Sequence, residues 1–298
     1  MNYSLSLKTQ ELRISQRKQS VLCFLIKCKR RIFHSKLRCY PAVKHLFLEK
    51  TGLEIGGPSA VFARGGILPL YPIVNRLDNC NYSETTVWGG TIKKGYTFVF
   101  DYQKMLGMQY ILEATDLSLL QSENYDFALS SHILEHSANP LRALSELHRI
   151  LKEAGVLVIV LPHMESTFDH RRSVTSFEHL IKDYNNNTTE DDLTHLTEIL
   201  SSHDLAMDVE AGDFNAFKSR SLRNSENRCL HQHVFNTQLG VEIINWLGMQ
   251  IIAVEPVFPH HIFIIAKKQK ESQLVQNSEF FGKNVKYRKK SPFFMDHI

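Results

Sequence analysis

One stretch, Tyr125–Pro162 (YDFALSSHILEHSANPLRALSELHRILKEAGVLVIVLP), constrains the fold more than any other part of the chain. An apolar run at Phe127–Leu129 stops at Ser130-Ser131-His132, and Asn139-Pro140 then opens a helix. Proline at the first helical position loses only an N–H that has no partner there. Leu141, Leu144, Leu147, Ile150 and Leu151 recur at three- and four-residue spacing, which predicts one apolar helix face. After Gly155, the unbroken apolar run Val156–Leu161 is of the kind buried on both faces of a parallel sheet. A strand, helix and strand of these lengths form a right-handed crossover.

The remaining pattern extends that unit in both directions. Gly52–Ile55 reads as the first core strand, ending in Gly56-Gly57-Pro58-Ser59. Tyr71–Leu77 reads as the second, ending at Asp78, with Tyr96–Phe100 a short edge strand. Tyr110–Ala114 reads as the third, ending at Asp116. Leu239–Leu247 reads as a helix, and Gly248–Val254 and Ile262–Ala266 as a closing antiparallel pair. The expected architecture is α/β: a Rossmann-like, mostly parallel seven-stranded sheet with helices on both faces. Its core would span 51–163 and 237–267. Residues 164–236 form an α-rich, histidine-rich insertion after the fifth strand, at the sheet edge where ligands bind in open α/β folds.

Composition bounds the rest. A chain of 298 residues with 43% hydrophobic residues can bury a full core. Its net charge of +4 is too small to imply nucleic acid, and no aromatic-basic strip for handling a flipped base is present. The basic residues concentrate at the two ends, 1–50, read as a helical cap, and 268–298, read as a disordered tail. Both ends suit solvent or peripheral contact with an acidic membrane surface. The longest N-terminal apolar run, Val21–Ile26, is far short of the ~20 residues a bilayer requires. Five cysteines, an odd number, point to reduced thiols and a cytoplasmic setting. Cys23, Cys28, His34 and Cys39 do not match a standard zinc spacing, and no metal is expected there.

Successive strand ends would therefore present Glu54 with Gly56-Gly57, then Asp78, Asp116, and Ser131-His132. A carboxylate ending the second strand is where ribose hydroxyls are gripped in nucleotide-binding sheets, and a second at the third strand end can accept an adenine amino group. The first turn is not GxGxxG and continues into Pro58, which serves a diphosphate poorly and an adenosine without phosphates better.

These residues resemble class I S-adenosylmethionine-dependent methyltransferases of the type 11 branch. The resemblance is carried by Leu53–Ser59, Glu113–Leu117, Tyr125–Phe127 with Leu134-Glu135-His136, Arg149–Lys152 and Gly155–Leu157. It implies that Glu54, Gly56, Gly57 and Pro58 line the methionine end, Asp78 the ribose, and Asp116 with Leu117 the adenine. Ser131 and His132 would face the sulfonium methyl group. His163, ending the fifth strand, and His132, ending the fourth, are the candidate bases that would take the acceptor's proton. The insertion offers Asp169, His170, Arg171, His231 and His233 for a polar acceptor, a small molecule or a glycan methylated on oxygen or nitrogen. Two other readings use the same residues. One is a metal-dependent hydrolase with His163, Asp169, His170, His231 and His233 as ligands; the other is a non-catalytic cofactor-binding module.

Overall fold

The computed structural model describes residues 36–270 and 272–298. Most of the expected N-terminal cap, with Cys23, Cys28 and His34, lies outside the described residues. The described chain forms strands β1 (Thr51–Ile55), β2 (Arg76–Asn81), β3 (Thr85–Thr86), β4 (Gly90–Thr91), β5 (Gly95–Phe98), β6 (Gly107–Ile111), β7 (Tyr125–Ser131), β8 (Leu151–Pro162), β9 (Met249–Val257) and β10 (His261–Lys268). Its helices are α1 (Tyr40–Val43), α2 (Pro140–Ile150), α3 (Phe177–Asn186), α4 (Leu196–Ser202), α5 (Phe214–Ser221), α6 (Asn224–Asn227), α7 (Thr237–Trp246) and α8 (Lys286–Lys290).

Eight strands join one sheet in the order β5-β6-β2-β1-β7-β8-β10-β9, and β3 and β4 make a separate hairpin. Strands β6, β2, β1, β7 and β8 run parallel, so their carboxyl ends emerge along one edge. Strand β10 is antiparallel to both β8 and β9, and β5 is antiparallel to β6. The fold is thus the expected Rossmann-like one, with one strand more than seven because the edge segment near Tyr96 pairs with β6, with a bulge between Tyr96 and Phe98.

Alternate residues of the central strands feed two cores. Ala128, Leu157, Ile159 and Ile264 face one side, packed by Leu141, Leu144 and Leu147 of α2 and by Leu239 and Ile243 of α7. Helix α2 starts as its sequence dictates: the Asn139 side chain accepts from the Arg142 N–H at 3.1 Å, with Pro140 next to it. Phe127, Leu129, Val158 and Phe263 face the other side, against Phe47, Phe62, Leu68, Tyr71 and Val74. That second face is not covered by long helices as expected. Segment 57–75 contains Pro58, Gly65, Gly66, Pro69 and Pro72, which break a helix, and it packs as turns beside short α1.

Two strands differ in register from the sequence expectation. The second runs over Arg76–Asn81, not Tyr71–Leu77. Tyr71–Val74 is a buried turn containing Pro72, whose apolar run mimics a strand. The true strand is polar because its side chains are satisfied sideways. Asp78 accepts from Arg76, from the Met108 N–H and from the Tyr125 hydroxyl, and Asn79 bonds Gly57 and Gln109. The third strand ends at Ile111, so Leu112–Thr115 lie beyond it. The tail expected to be disordered is folded against the core instead. Phe293 and Asp296 are buried, Asn277 accepts from the Ile251 N–H at 2.9 Å, and the Tyr287 hydroxyl donates to Gln238 at 2.9 Å.

Under the first turn sits a buried acid. The Glu54 carboxyl accepts from the Tyr71 hydroxyl at 2.7 Å and from the Ser59 N–H at 3.2 Å. Burial pushes its pKa from 4.5 up to about 8, against the opposing pull of Tyr71 and Ser59. The folded chain therefore holds a proton that the unfolded chain releases. The resulting stability is complete below about pH 4.5 and is lost as pH rises through about 8. Chemical denaturation from pH 5 to 8 should show wild-type stability falling, and Glu54→Gln should flatten that fall by of the order of 2 kcal/mol.

Candidate functional site

A cavity of about 650 Å³ opens across the carboxyl ends of β1, β2, β6, β7 and β8. Its floor is the Gly56–Ser59 turn, Asn81-Tyr82, Leu112–Thr115 and Ser131–Ile133, with Pro162 at one side. Thr86 and Trp88 of the β3–β4 hairpin, and Thr167, Phe168, Met207 and His231 of the insertion, form its roof.

The turn is shaped by what lies beneath it. Gly56 adopts φ 74°, a left-handed conformation that favours glycine. A Cβ on Gly57 would lie 2.3 Å from the Glu54 carboxylate, so only glycine lets this turn sit directly on that acid. The Gly57 N–H donates to Asn79 Oδ1 at 3.0 Å, and the Ser59 hydroxyl donates to Ser131 at 3.0 Å, tying the turn to the end of β7. At the end of β2 the Asn81 side-chain amide nitrogen is buried in the wall with no hydrogen-bond partner. Such a group costs roughly 1–3 kcal/mol unless a ligand satisfies it.

Two polar clusters line the other end. Arg228 donates to Glu113 at 2.5 Å, approaches Glu190 at 3.3 Å and stacks over the Tyr82 ring at 5.2 Å. Burial raises the Glu190 pKa although Arg228 opposes it. In the second cluster His132 Nδ1 lies 3.4 Å from Glu135 Oε1, and His132 Nε2 lies 2.8 Å from His261 Nδ1. Burial works against ionisation of Glu135, yet His132 beside it holds its pKa below the usual glutamate value. Burial, with His231 adjacent, pushes His136 down to about 4. Burial also disfavours a charged His231, but its 2.5 Å contact with Asp169 raises its pKa above the ordinary value. Arg172 donates to Asp169 at 3.0 Å and fixes that carboxylate in turn.

Residues 100–159 match a family model described as a methyltransferase domain. That stretch, from just before β6 into β8, is the part of the chain that resembles a methyltransferase domain. No curated protein matches it by sequence. Among solved structures it is similar to an S-adenosylmethionine-dependent methyltransferase from Aquifex aeolicus, at 15% identity over 76% of this chain and 87% of that one, with a TM-score of 0.39. It is also similar to one from Methanosarcina mazei, at 16% identity over 79% and 100%, with a TM-score of 0.43.

The sequence-derived site residues separate into two groups. Gly56, Gly57, Pro58, Ser131, His132 and His231 line the cavity. Glu54 does not; it is the support under the turn. Asp78 lies mid-strand, engaged by Arg76 and Tyr125, and the strand-end position belongs to Asn81 because β2 starts five residues later than the apolar run suggests. Asp116 is exposed and accepts from the Ser118 N–H, a turn cap that holds its pKa below the aspartate norm. Leu117 is buried, its N–H donating to Glu146. Glu113 takes their place in the wall.

The histidines expected on the cleft also part company. His163 is fully buried under the tail, stacked on Phe293 at 4.0 Å and 3.4 Å from Asp296. It caps the sheet edge and does not line the cavity. His170 and Arg171 both pair with Asp204, at 2.9 and 2.8 Å, and neither lines the cavity. His233 is buried beside His179 and His195, and burial pushes it down to about 3. Asp169 acts through His231. The five ligands of the hydrolase reading therefore do not converge.

Asn81, Tyr82, Trp88, Glu113 and Arg228 are the wall residues that sequence reasoning missed. Correct placement of β2 would have exposed the first two; nothing local marks Arg228. Among the described residues no helix is long and apolar enough to cross a membrane.

Asn81 and the glycine turn are the wall residues that would hold a cofactor of adenosine and sulfonium type. His163→Ala should lower unfolding free energy by about 2–3 kcal/mol, from the void and the lost Asp296 contact. Calorimetric affinity of the folded variant for the demethylated cofactor should match wild type.

Proposed function

We propose that this methyltransferase methylates an oxygen of a polar, hydroxylated acceptor, a small molecule or a glycan. The observation that carries the reading is the make-up of the cavity beyond the glycine turn. Flat Trp88 and Phe168 rings stand beside Glu135, His136, His231, Glu113 and Arg228. A sugar or polyol presents both apolar C–H faces and hydroxyls, and such a wall meets both demands. The His163 and insertion-surface roles expected from sequence are not part of this reading.

S-Adenosylmethionine, when bound, supplies a methyl group on a positively charged sulfur. The Gly56–Ser59 turn would hold its methionine end, Asn81 its ribose hydroxyls and Leu112–Thr115 its adenine. Ser131 and His132 line the cavity at the end of β7. The chain's own contribution is alignment of the acceptor, exclusion of water by the insertion, and removal of a proton. The acceptor oxygen that gains the methyl group gives up its proton to Nε2 of His132, which the acceptor must first displace from His261 Nδ1, 2.8 Å away. Glu135, buried and 3.4 Å from His132 Nδ1, favours the imidazolium so formed. A positioned base of this kind contributes typically ~10²–10⁴-fold.

Calorimetric titration with the demethylated cofactor tests the binding half. Asn81→Ala should weaken it about tenfold, the worth of one hydrogen bond to a buried donor, while Asp78→Asn should change it less than twofold. A reversal of that order would refute the assignment. Release of demethylated cofactor across a panel of polyols, glycosides and amines tests the acceptor, and turnover confined to amines would refute oxygen methylation.

A further inference from the structure

The geometry points to a divalent-cation site formed by Glu135, His136 and His231 at the acceptor end of the cavity. We take its occupant to receive the acceptor through two adjacent oxygens, a part that rests on the functional reading above. One oxygen or nitrogen atom from each of the three residues lies within 4.8 Å of the others, and all three residues line the cavity. Metal bonds of about 2.0–2.2 Å need only a small inward rotation of these side chains.

The surroundings are those of ligands already oriented. His231 Nδ1 contacts Asp169 Oδ2 at 2.5 Å, and Asp169 is fixed by Arg172. His136 Nδ1 lies 3.1 Å from the Leu230 carbonyl. Each imidazole thus has one nitrogen engaged as a donor, which leaves its Nε2 lone pair toward the cavity. A carboxylate or carbonyl behind each ligating histidine is the usual outer shell of a metal. Glu135 is 1% exposed, and its Oε2 is buried with no hydrogen-bond partner. An unpaired buried carboxylate oxygen between two oriented imidazoles is costly without a cation to meet it.

Two imidazoles and one carboxylate on one side leave the opposite coordination positions open to the cavity. Neighbouring hydroxyls of a sugar or polyol can fill two of these as a chelate, with His132 adjacent through Glu135. The other two histidine clusters offer less. His132 and His261 are bonded to each other at 2.8 Å, and His179 and His195 at 2.9 Å, the latter pair outside the cavity.

The test uses the full chain, stripped with chelator and titrated with Mn²⁺ and Co²⁺, followed by electron paramagnetic resonance and visible absorption. One equivalent should bind. Glu135→Gln and His231→Asn should each weaken it at least a hundredfold, and Asp169→Asn, acting through His231, about tenfold to a hundredfold. His195→Ala should leave it unchanged, which separates this site from the cluster outside the cavity. Circular dichroism and thermal melts on each variant confirm that it is folded. A vicinal diol should shift the Co²⁺ spectrum where a matched mono-alcohol does not.

No binding to the folded wild type, or binding that survives both Glu135→Gln and His231→Asn, would overturn the site. Equal spectra with diol and mono-alcohol would overturn the chelate. The demethylated cofactor is titrated into the same metal-free protein: if it binds while metal does not, the cation site alone falls. If neither binds, the methyltransferase reading falls with it.

Discussion

A single buried carboxyl group joins the parts of this molecule that must act together. Glu54 sits at the end of a central strand, takes a hydrogen bond from Tyr71 in the turns covering one sheet face, and takes another from Ser59 in the ligand-side turn. Gly57 must be glycine because its missing side chain leaves room for that acid. Core packing, turn conformation and cavity floor are therefore one hydrogen-bonded unit, and its protonated acid is the consequence of burial without a nearby cation. The residue is conspicuous in sequence for ligand binding, yet its contacts hold the cavity-lining turn in place.

The sheet edge follows from simpler rules. Five parallel strands joined by crossovers of one hand deliver their carboxyl ends to one side. Polar residues at or just past these strand ends then meet across the cavity. Asn81, Glu113 and the adjacent Ser131-His132 pair come from three different strand ends that are far apart in sequence. The other wall of the cavity differs in kind: it is assembled from the start of the post-β7 segment together with residues of the insertion nearly a hundred positions later.

How much of this could be read beforehand depended on whether hydrophobicity carried the signal. The strand–helix–strand at Tyr125–Pro162 was legible because apolar spacing, Asn139-Pro140 and Gly155 all agree. The closing antiparallel pair was legible for the same reason. Strand β2 was not, since Asp78, Asn79 and Asn81 are buried polar residues satisfied by neighbouring strands, while the apolar Tyr71–Val74 run is a turn. That one slip moved the strand-end position from Asn81 to Asp78. Asp116 is a turn cap, the ordinary use of an aspartate after a strand. His163 was misread because its cover, Phe293 and Asp296, comes from a tail whose basic composition suggests solvent. The pairing of His231 with Asp169 depends on contacts across sixty residues that no spacing rule reports.

The insertion leaves and rejoins the sheet through a narrow doorway. His163 and Phe235 form an isolated parallel bridge, and the Met164 N–H donates to the Phe235 carbonyl at 2.9 Å. Its two feet thus stand about one strand spacing apart, near 5 Å. A segment anchored in that way can be lengthened, shortened or exchanged with little penalty from loop closure and no change of strand register. The architecture lets the insertion change while the sheet edge and the glycine turn beneath the cavity are left alone.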